Sequence, residues 1–441
     1  MKLLSSNKGP VAALMGVLIA ISAPVGVAAR PQSEVSGAIA GRADELRAFY
    51  AARDFKPLWM RPDGTPRPAI GTLLDHLDTA QLDGISGKNL AGLKTKSLRR
   101  VLRKAASGDA DDVAKAELSV SAHFVRYVRA MRSAPRTDMV VHRASFNPGV
   151  PSAANALQDA GKAGSLEDYI QSMGWMHPYY APLRNALGAR TYAEHQRRQI
   201  WQNLERIRAL PPASSGRYVL VDTASAHLWM FENGKAVDSM RVVVGKPDNQ
   251  TPMMVSYMGD AILNPYWNIP PDLVQKNIAP NVLDQGIGYL RDRGYEVLSD
   301  YSDRPAVLDP RTINWSQVAA GSRFVRVRQK PGGQNFMGKV KYEMPNELGI
   351  YLHDTPDRHL LREDMRQLSS GCIRLEDPDR FGEWLLGKRL PKVNRQVEQR
   401  VGLPDVPIYI TYLTVMPENG RIAFRGDVYG RDSHNRLASA N

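Results

Sequence analysis

The residue with the clearest chemical potential is Cys372, the only cysteine in a chain of 441 residues. It lies in the polar stretch "LSSGCIRLED" (368–377), without the apolar neighbours typical of a structural cysteine. Arg374 brings positive charge, which favours the thiolate, the nucleophilic form of the side chain. Gly371 lets the backbone turn tightly or approach a ligand closely. One cysteine cannot form an internal disulfide, so the pattern predicts either pairing with another chain or a reactive thiol.

A thiol nucleophile requires a base, and His353 is the best candidate among the nine histidines. The apolar run 350–352 predicts a buried strand that ends at His353, which precedes Cys372 by 19 residues. That separation lets the chain fold back. His359 is the rival, but "PDRHLLRED" indicates an exposed turn leading into a helix. We therefore expect Cys372 and His353 to act together.

Two other chemistries are disfavoured by motif and chain order. The sequence contains neither CxxC nor HExxH, and one thiol with scattered histidines has no metal-ligand spacing. In papain-like proteases the cysteine precedes the histidine, whereas here the histidine comes first. We expect no metal and no cofactor.

The segment after Cys372 predicts how the thiol is positioned. Asp377 can cap free N–H groups, Pro378 suits the first position of a helix, and Gly387 suits its end. Cys372 is therefore expected on a loop or strand end a few residues before a helix.

The rest of the chain divides into a helical part and a sheet-rich part. Residues 30–210 contain three amphipathic helical patterns, "ADELRAFYAARD", "AELSVSAHFVRYVRAMR" and "RRQIWQNLERIRALPP". The period changes at 211–216, and strands are predicted from "RYVLVD" and "HLWMF" onwards. Asn233-Gly234 and Asn419-Gly420 predict hairpin turns. These patterns predict an α+β multidomain chain with a helical N-terminal region and a mostly-β C-terminal region.

A stretch between two of the predicted strands is too long for a plain loop. It covers about residues 270–320 and carries interspersed charges and tyrosines. We expect a small subdomain that is inserted into the sheet and lies over one of its faces.

The N-terminus and the net charge bear on location. Residues 1–29 combine two lysines, an apolar run and small residues before Arg30, which predicts a signal peptide; an uncleaved membrane anchor is the alternative. The net charge of +13 favours anionic partners such as cell-wall polymers or lipid head groups. No nucleic-acid-binding motif is present, so nucleic acid is not an expected partner. We expect a protein of the periplasm or cell envelope that contacts the membrane only if the N-terminal segment is uncleaved.

Several motifs together resemble the L,D-transpeptidases, which have the YkuD-type catalytic fold, and in particular their large periplasmic branch. The resemblance covers about 217–432, preceded by "FYAARDFKPLW" and "QIWQNLERIRALP" in the helical region and followed by a tail at 433–441. The motifs occur in the family's order: "VVVGKPDNQTP", "NPYWNIPP", "VRQKPGGQNFMGKVKYEMPN", "YLHDTPDRHLLREDMRQLSSGCIR", "VPIYITYLTV" and "GDVYGRD".

The resemblance implies a β-sandwich-like catalytic domain, a capping subdomain over the site and a helical scaffold. It implies that the enzyme acylates its cysteine with a peptidoglycan tetrapeptide stem, releases D-alanine, and transfers the stem to an amine of another stem as a 3→3 cross-link. By position, Cys372 is the nucleophile, His353 the base, and Tyr351 an oxyanion-site residue beside the backbone of Gly371 and Cys372. Arg374 is expected near a substrate carboxylate. Further expected substrate contacts are Ser370, Asn264 and Trp267.

Two departures from the family pattern affect these expectations. Ser370 occupies a position where many smaller relatives have a histidine, so no second base is expected there. The interval that usually holds a peptidoglycan-binding module contains only "SMGWMHPYYAPLRNALGARTYAEHQ", which is too short for one. Wall targeting is then expected from the catalytic domain, the scaffold or the basic charge.

Two alternatives stay open from the sequence. The same thioester could react with water, a free D-amino acid or a protein amine, which would give a carboxypeptidase, an exchange enzyme or a protein-to-wall ligase. A non-catalytic wall-binding protein with a relic site is the other alternative, and the presence of both Cys372 and His353 argues against it.

Overall fold

The computed structural model describes residues 32–133, 137–147, 149–189, 191–393 and 397–434. The predicted signal segment 1–29 lies outside the described residues, as does the predicted tail beyond residue 434. Among the helices that are described, none is both long enough and apolar enough to cross a membrane.

The N-terminal region is helical, as predicted, and its longest helix has the expected cap. The side chain of Asp109 accepts hydrogen bonds from the backbone N–H groups of Asp111 and Asp112, which begins a helix that ends at Arg132. The first predicted helix is shorter than expected, because a 3₁₀ turn at Asp44–Leu46 precedes it. Within the described residues the helices of this region are α1 (Gln32–Ala40), α2 (Arg47–Ala51), α3 (Ala69–Asp78), α4 (Gly87–Ala91), α5 (Lys96–Ala105), α6 (Ala110–Arg132), α7 (Ala153–Lys162), α8 (Leu166–Gln171), α9 (Tyr180–Gly188) and α10 (Glu194–Arg208).

The C-terminal region is mostly strand. Both predicted Asn-Gly turns form, with positive φ at each of the four residues, 50° and 76° in the first turn and 48° and 74° in the second. The described strands are β1 (Val140–Val141), β2 (Arg217–Asp222), β3 (His227–Glu232), β4 (Lys235–Gly245), β5 (Met254–Tyr257), β6 (Asp260–Leu263), β7 (Trp267–Ile269), β8 (Tyr295–Leu298), β9 (Val307–Leu308), β10 (Arg326–Gln329), β11 (Val340–Glu343), β12 (Leu352–His353), β13 (Gln367–Ser369), β14 (Ile373–Leu375), β15 (Gln399–Gly402), β16 (Pro407–Thr411), β17 (Val415–Glu418) and β18 (Arg421–Phe424).

One large sheet organises the C-terminal region. Its strand order is β1-β5-β16-β2-β3-β4-β14-β12-β11-β6-β15, and β13 pairs with β4 outside this order. Strands from both ends of this order contribute to a single buried apolar cluster, which includes Val219, Leu228, Leu263 and Leu352. The sheet therefore folds over onto itself like a sandwich, as the fold class predicted.

Strand β2 joins the two regions because both of its faces are buried. Val219 and Val221 face the cluster inside the sheet, whereas Tyr218 and Leu220 pack into the apolar core of the helices. Alternate side chains of a strand point to opposite faces, so one strand serves both cores. The helical scaffold is thereby packed on the outer face of the sheet.

The inserted stretch forms its own small unit. A four-stranded sheet in the order β7-β10-β8-β9 packs with α11 (Pro271–Leu273), a π-helical turn (Val274–Ile278), α12 (Ala279–Gln285), α13 (Gly288–Asp292) and α14 (Trp315–Ala319). It has a separate apolar core. Its sheet extends from Trp267 to Gln329, somewhat beyond the expected 270–320 on both sides.

Two further helices follow in the C-terminal region. The first, α15 (Pro378–Leu386), begins and ends as predicted, because the Asp377 side chain accepts the N–H of Arg380 and Gly387 has a φ of +69°. It buries Phe381 and Leu385 in the sandwich core. The last helix is α16 (Arg431–His434).

Candidate active site

Cys372 lies in a tight turn between β13 and β14 that two hydroxyl groups hold in shape. Gly371 has a φ of +117°, a conformation that strains any residue with a side chain. The buried Thr251 hydroxyl donates to the Gly371 carbonyl at 2.6 Å, and the Ser369 hydroxyl donates to the Cys372 carbonyl at 2.6 Å. The predicted strand end is confirmed, and the sequence did not indicate either hydroxyl.

Replacing Thr251 with valine is expected to destabilise the protein and loosen the turn. The substitution removes the bond to Gly371 and leaves the Gly245 N–H, which Thr251 accepts at 2.9 Å, buried without a partner. The free energy of unfolding should fall by about 1–3 kcal/mol in urea denaturation. Ser370→Ala is the matched control at an exposed position of the same turn, with an expected change below about 0.5 kcal/mol. Equal effects of the two variants would contradict this role of Thr251.

Parallel pairing of β12 with β14 brings the predicted residues together. Leu352 pairs with Ile373, and His353 pairs with Arg374. The Ile373 N–H donates to the Tyr351 carbonyl at 3.1 Å, which places Tyr351 beside Cys372. Because alternate residues of a strand share a face, Tyr351 and His353 lie on the same face as Cys372 and Arg374.

Tyr351 is a direct neighbour of the thiol. Hydrogen bonding by its backbone N–H and its phenol lowers the pKa of Cys372, whose thiol donates to the Gly349 carbonyl oxygen at 3.7 Å. Burial, and then the neighbouring Cys372, raise the pKa of Tyr351 far above its usual range, so the phenol keeps its proton. Its ring meets the His353 ring edge-on, with centroids 5.8 Å apart. Tyr351 is thus a permanent hydrogen-bond donor at the thiol.

The backbone orients the imidazole of His353. Nδ1–H of this buried residue donates to the Asp354 carbonyl oxygen at 2.5 Å, which leaves Nε2 as the acceptor. The Asp354 carboxylate does not serve this purpose, since it accepts the Lys339 N–H at 2.8 Å and pairs with Arg358 at 2.7 Å. Burial, and then Arg374, lower the pKa of His353 to about 3, so the ring is neutral. A neutral, oriented imidazole is suited to accept a proton.

The thiol is also neutral in the resting site. Burial raises the pKa of Cys372, while the hydrogen bonds from Tyr351 and the charges of Lys341 and Arg374 lower it. Arg374 therefore acts in the predicted direction, but burial outweighs it. In the resting site the thiol is protonated and the imidazole is neutral, and both lie on one face of the paired strands.

Alkylation of Cys372 by iodoacetamide should report this neutral pair. The pKa of the thiol lies above its ordinary value of 9.0, so the rate should keep rising with pH beyond 9. His353 is uncharged above a pH of about 3, so the rate should show no step near its ordinary pKa of 6.5. Rates measured by mass spectrometry from pH 5 to pH 10.5 test this, and a plateau between pH 5 and pH 7 would reveal a thiolate–imidazolium pair instead.

Lys341 is a cation of the site that the sequence reasoning missed. It pairs with His353 across β11 and β12. Its Nζ lies 4.5 Å from the centre of the Tyr351 ring and 2.8 Å from Glu343 Oε1. The residue falls within a quoted family motif, but only the strand register shows that it faces the thiol.

Lys341→Met should raise the pKa of Cys372 and slow its alkylation at pH 8, because it removes a positive charge that stabilises the thiolate. Lys339→Met is the matched control. Lys339 is exposed, lies two residues earlier, and contacts Asp354 through its backbone, which the substitution retains. Equal alkylation rates for Lys341→Met and the wild type would show that Lys341 does not affect the pKa of Cys372.

Two predicted substrate contacts, Arg374 and Trp267, are linked by an aromatic residue that lies between them. Arg374 Nη1 pairs with Asp357 Oδ2 at 3.0 Å, and its guanidinium lies 5.8 Å from the centre of the Phe336 ring. Phe336 packs in turn against Trp267 of the inserted subdomain, with ring centroids 4.8 Å apart. The inserted subdomain thus adjoins the cysteine face through Phe336, which the sequence did not single out.

The other two predicted contacts are less close to the chemistry. Ser370 is exposed beside Gly371. Asn264 donates to the Val397 carbonyl at 3.4 Å and lines a groove of about 810 Å³ that Lys339 and α15 help to form, whereas Cys372 does not line it. Their expected roles in substrate binding stay predictions.

Each of the two regions of the chain matches a known family model. Residues 44–187 match the family model described as a scaffold domain, and residues 216–408 match the one described as an L,D-transpeptidase catalytic domain, named YkuD. The matched segment contains the cysteine turn, β12 and the inserted subdomain. Residues 216–408 form an L,D-transpeptidase domain. The resemblance of the sequence to this family is thereby confirmed.

One curated relative bears a name of the same family. A Haemophilus influenzae protein provisionally named as an L,D-transpeptidase is 28% identical over 90% of this chain and 80% of its own. Among solved structures, an L,D-transpeptidase from Mycobacterium smegmatis is 12% identical over 44% of this chain and 58% of its own, with a TM-score of 0.23. The catalytic domain of the E. faecium enzyme is 16% identical over 44% of this chain and 95% of its own, with a TM-score of 0.18. The family models and the site geometry carry the assignment.

Proposed function

We propose that this L,D-transpeptidase domain forms 3→3 cross-links in peptidoglycan through a thioester on Cys372. The observation that carries the proposal is the arrangement of Tyr351, His353 and Cys372 on one face of paired strands. It supplies a nucleophile, a neutral base with one free ring nitrogen, and a protonated donor.

Acylation follows from this arrangement. As the Cys372 sulfur attacks the carbonyl carbon between the third and fourth stem residues, its proton passes to His353 Nε2. The Tyr351 phenol and backbone N–H groups of the turn stabilise the oxyanion of the tetrahedral intermediate. When the intermediate collapses, the C–N bond breaks, the leaving D-alanine amine takes the proton from His353, and the thioester remains.

Transfer reverses the roles. The amine of a second stem attacks the thioester, His353 takes the proton that this amine loses, and the sulfur leaves and regains a proton as the new amide forms. Water is the competing acceptor, and the inserted subdomain beside Phe336 and Arg374 is placed to restrict its access.

Incubation with purified disaccharide-tetrapeptide muropeptides tests the reaction. The expected products are 3→3 dimers and free D-alanine, and mass spectrometry of the quenched enzyme should show an acyl group on Cys372. An acyl-enzyme that yields only tripeptide, or only D-amino-acid exchange, would keep the thioester and replace the acceptor. A folded wild-type protein that neither acylates nor cross-links would overturn the proposal.

We also propose that the chain is exported and acts in the periplasm or cell envelope. The basic start and apolar run of residues 1–29 support this, and the substrate proposed above lies outside the cytoplasm. Mass measurement of the N-terminal peptide of the protein from its native host distinguishes a mature chain that begins at Arg30 from an uncleaved one.

A further inference from the structure

A second cavity lies where three parts of the fold meet, away from Cys372. It has a volume of about 680 Å³. Its walls come from the outer face of β3 and β4, from the β17–β18 hairpin, and from Tyr179 of the scaffold. Neither Cys372 nor His353 lines it. The proposed transfer reaction gives this cavity no role.

Arg366 brings a positive charge to this cavity that its hydrogen bonds leave unneutralised. Nη1 donates to the Glu363 carbonyl at 2.9 Å, and Nη2 donates to the carbonyls of Ser225 and Ala226 at 3.0 and 3.2 Å. Carbonyl oxygens satisfy these donors but carry no full charge. Nε is buried and has no hydrogen-bond partner in the part of the chain that the structure describes.

Arg425 places a second guanidinium group in the wall of this cavity. Its Nη2 pairs with Glu418, while its buried Nη1 has no hydrogen-bond partner among the described residues. Glu418 is the one acidic side chain among the described residues that line the cavity, so two guanidinium groups face one carboxylate.

The remaining walls suit a polar ligand. Ser225 and Ser239 bring hydroxyl groups, and His227 lies against Trp229 with ring centroids 4.7 Å apart. Burial, and then Arg366, lower the pKa of His227, which keeps this ring neutral. Burial, and then Arg241, also lower the pKa of Arg366. Carboxylates act in the opposite direction, since Glu376 raises the pKa of both groups and Asp364 raises that of Arg366.

We propose that this cavity is a binding site for an oxyanion, a carboxylate or phosphate group held between Arg366 and Arg425. Guanidinium groups bind such anions with short, charge-assisted hydrogen bonds, and two of them can grip one anion from two directions. The inference rests on the cavity alone and is independent of the proposed transpeptidation.

Calorimetric titration of the full chain with sodium phosphate and, separately, with sodium acetate tests the site. Sodium chloride holds the ionic strength constant, because screening would otherwise mimic competition. Saturable binding of one anion per chain is expected. The anion that binds more tightly shows whether the site prefers a phosphate or a carboxylate group. Arg366→Gln should weaken this binding by about tenfold or more, as expected for loss of a charged hydrogen-bond donor.

Two further variants separate binding from folding, because Arg366 also supports the backbone at Ser225 and Ala226. Glu418→Gln removes the carboxylate that competes for Arg425 and should tighten anion binding, an effect that a merely structural role would not produce. Arg291→Gln is the control, since Arg291 is an exposed arginine of α13. This variant should bind the anion with the same affinity as the wild type. The proposal is overturned if the folded wild type binds neither anion saturably, if Arg366→Gln binds as the wild type does, or if Glu418→Gln binds no more tightly.

Discussion

Cys372→Ala is expected to abolish cross-linking while leaving the protein folded. The alanine lacks the sulfur that forms the thioester, and no second cysteine exists in the chain to replace it. Turnover of tetrapeptide muropeptides should fall by more than about 10⁴-fold, as for other enzymes that lose their nucleophile. Because the Thr251 and Ser369 hydroxyls bind backbone atoms of the turn, the substitution leaves their hydrogen bonds in place. The measurement is chromatographic separation of 3→3 dimers.

Cys372→Ser is the matched control for this variant. It restores a hydroxyl of similar shape, but a hydroxyl has a much higher pKa than a thiol, so activity should stay lost. Exposure to a carbapenem gives an independent readout, since a covalent adduct should form on the wild type and on neither variant. Dimer formation by Cys372→Ala above the background without enzyme would remove Cys372 as the nucleophile. The family assignment would survive that result.

His353→Gln is expected to slow both halves of the reaction. Glutamine cannot take the proton from the thiol or return it to the leaving amine, so the turnover number should fall by about 10²–10⁴-fold. His359→Gln is the matched control, because His359 is exposed and lies in the 3₁₀ turn Arg358–Arg362. Its activity should equal that of the wild type. A larger loss in His359→Gln than in His353→Gln would exchange the two assignments.

His353→Gln should also change how the stability of the protein depends on pH. The folded-state pKa of His353, about 3, lies below its ordinary value of 6.5. As the pH falls through this window, the unfolded chain binds a proton that the folded protein excludes, so the wild type loses stability. His353→Gln lacks this loss, and its urea midpoint should decline less between pH 6.5 and pH 4. An identical decline would show that the imidazole is already charged in the folded protein.

Residue types and short-range spacing were enough to name a candidate nucleophile and a candidate base. A lone cysteine in a polar, glycine-containing stretch and a histidine after an apolar run limited the choice of nucleophile and base. The helix after Cys372 was predictable at both ends, because capping by Asp377 and the left-handed conformation of Gly387 depend on local backbone geometry. The two Asn-Gly turns were predictable for the same reason.

Long-range contacts were not predictable from one sequence. Lys341 lies near Tyr351 only because β11 and β12 are adjacent, and the Thr251 hydroxyl reaches Gly371 across 120 residues of chain. Phe336 joins Arg374 to the inserted subdomain in the same manner. No local pattern encodes such neighbours, since they depend on which strands pair and in which register.

The sequence by itself indicated the candidate reacting groups, the order of helical and sheet-rich regions, and the resemblance to a family. Only the tertiary structure decided the state of those groups. Burial holds the thiol of Cys372 protonated despite Arg374, and the carbonyl of Asp354 presents Nε2 of His353 as an acceptor. The reason is physical. Residue type decides which groups can gain or lose a proton, whereas solvent exclusion and hydrogen bonds from distant strands set the pKa at which they do so.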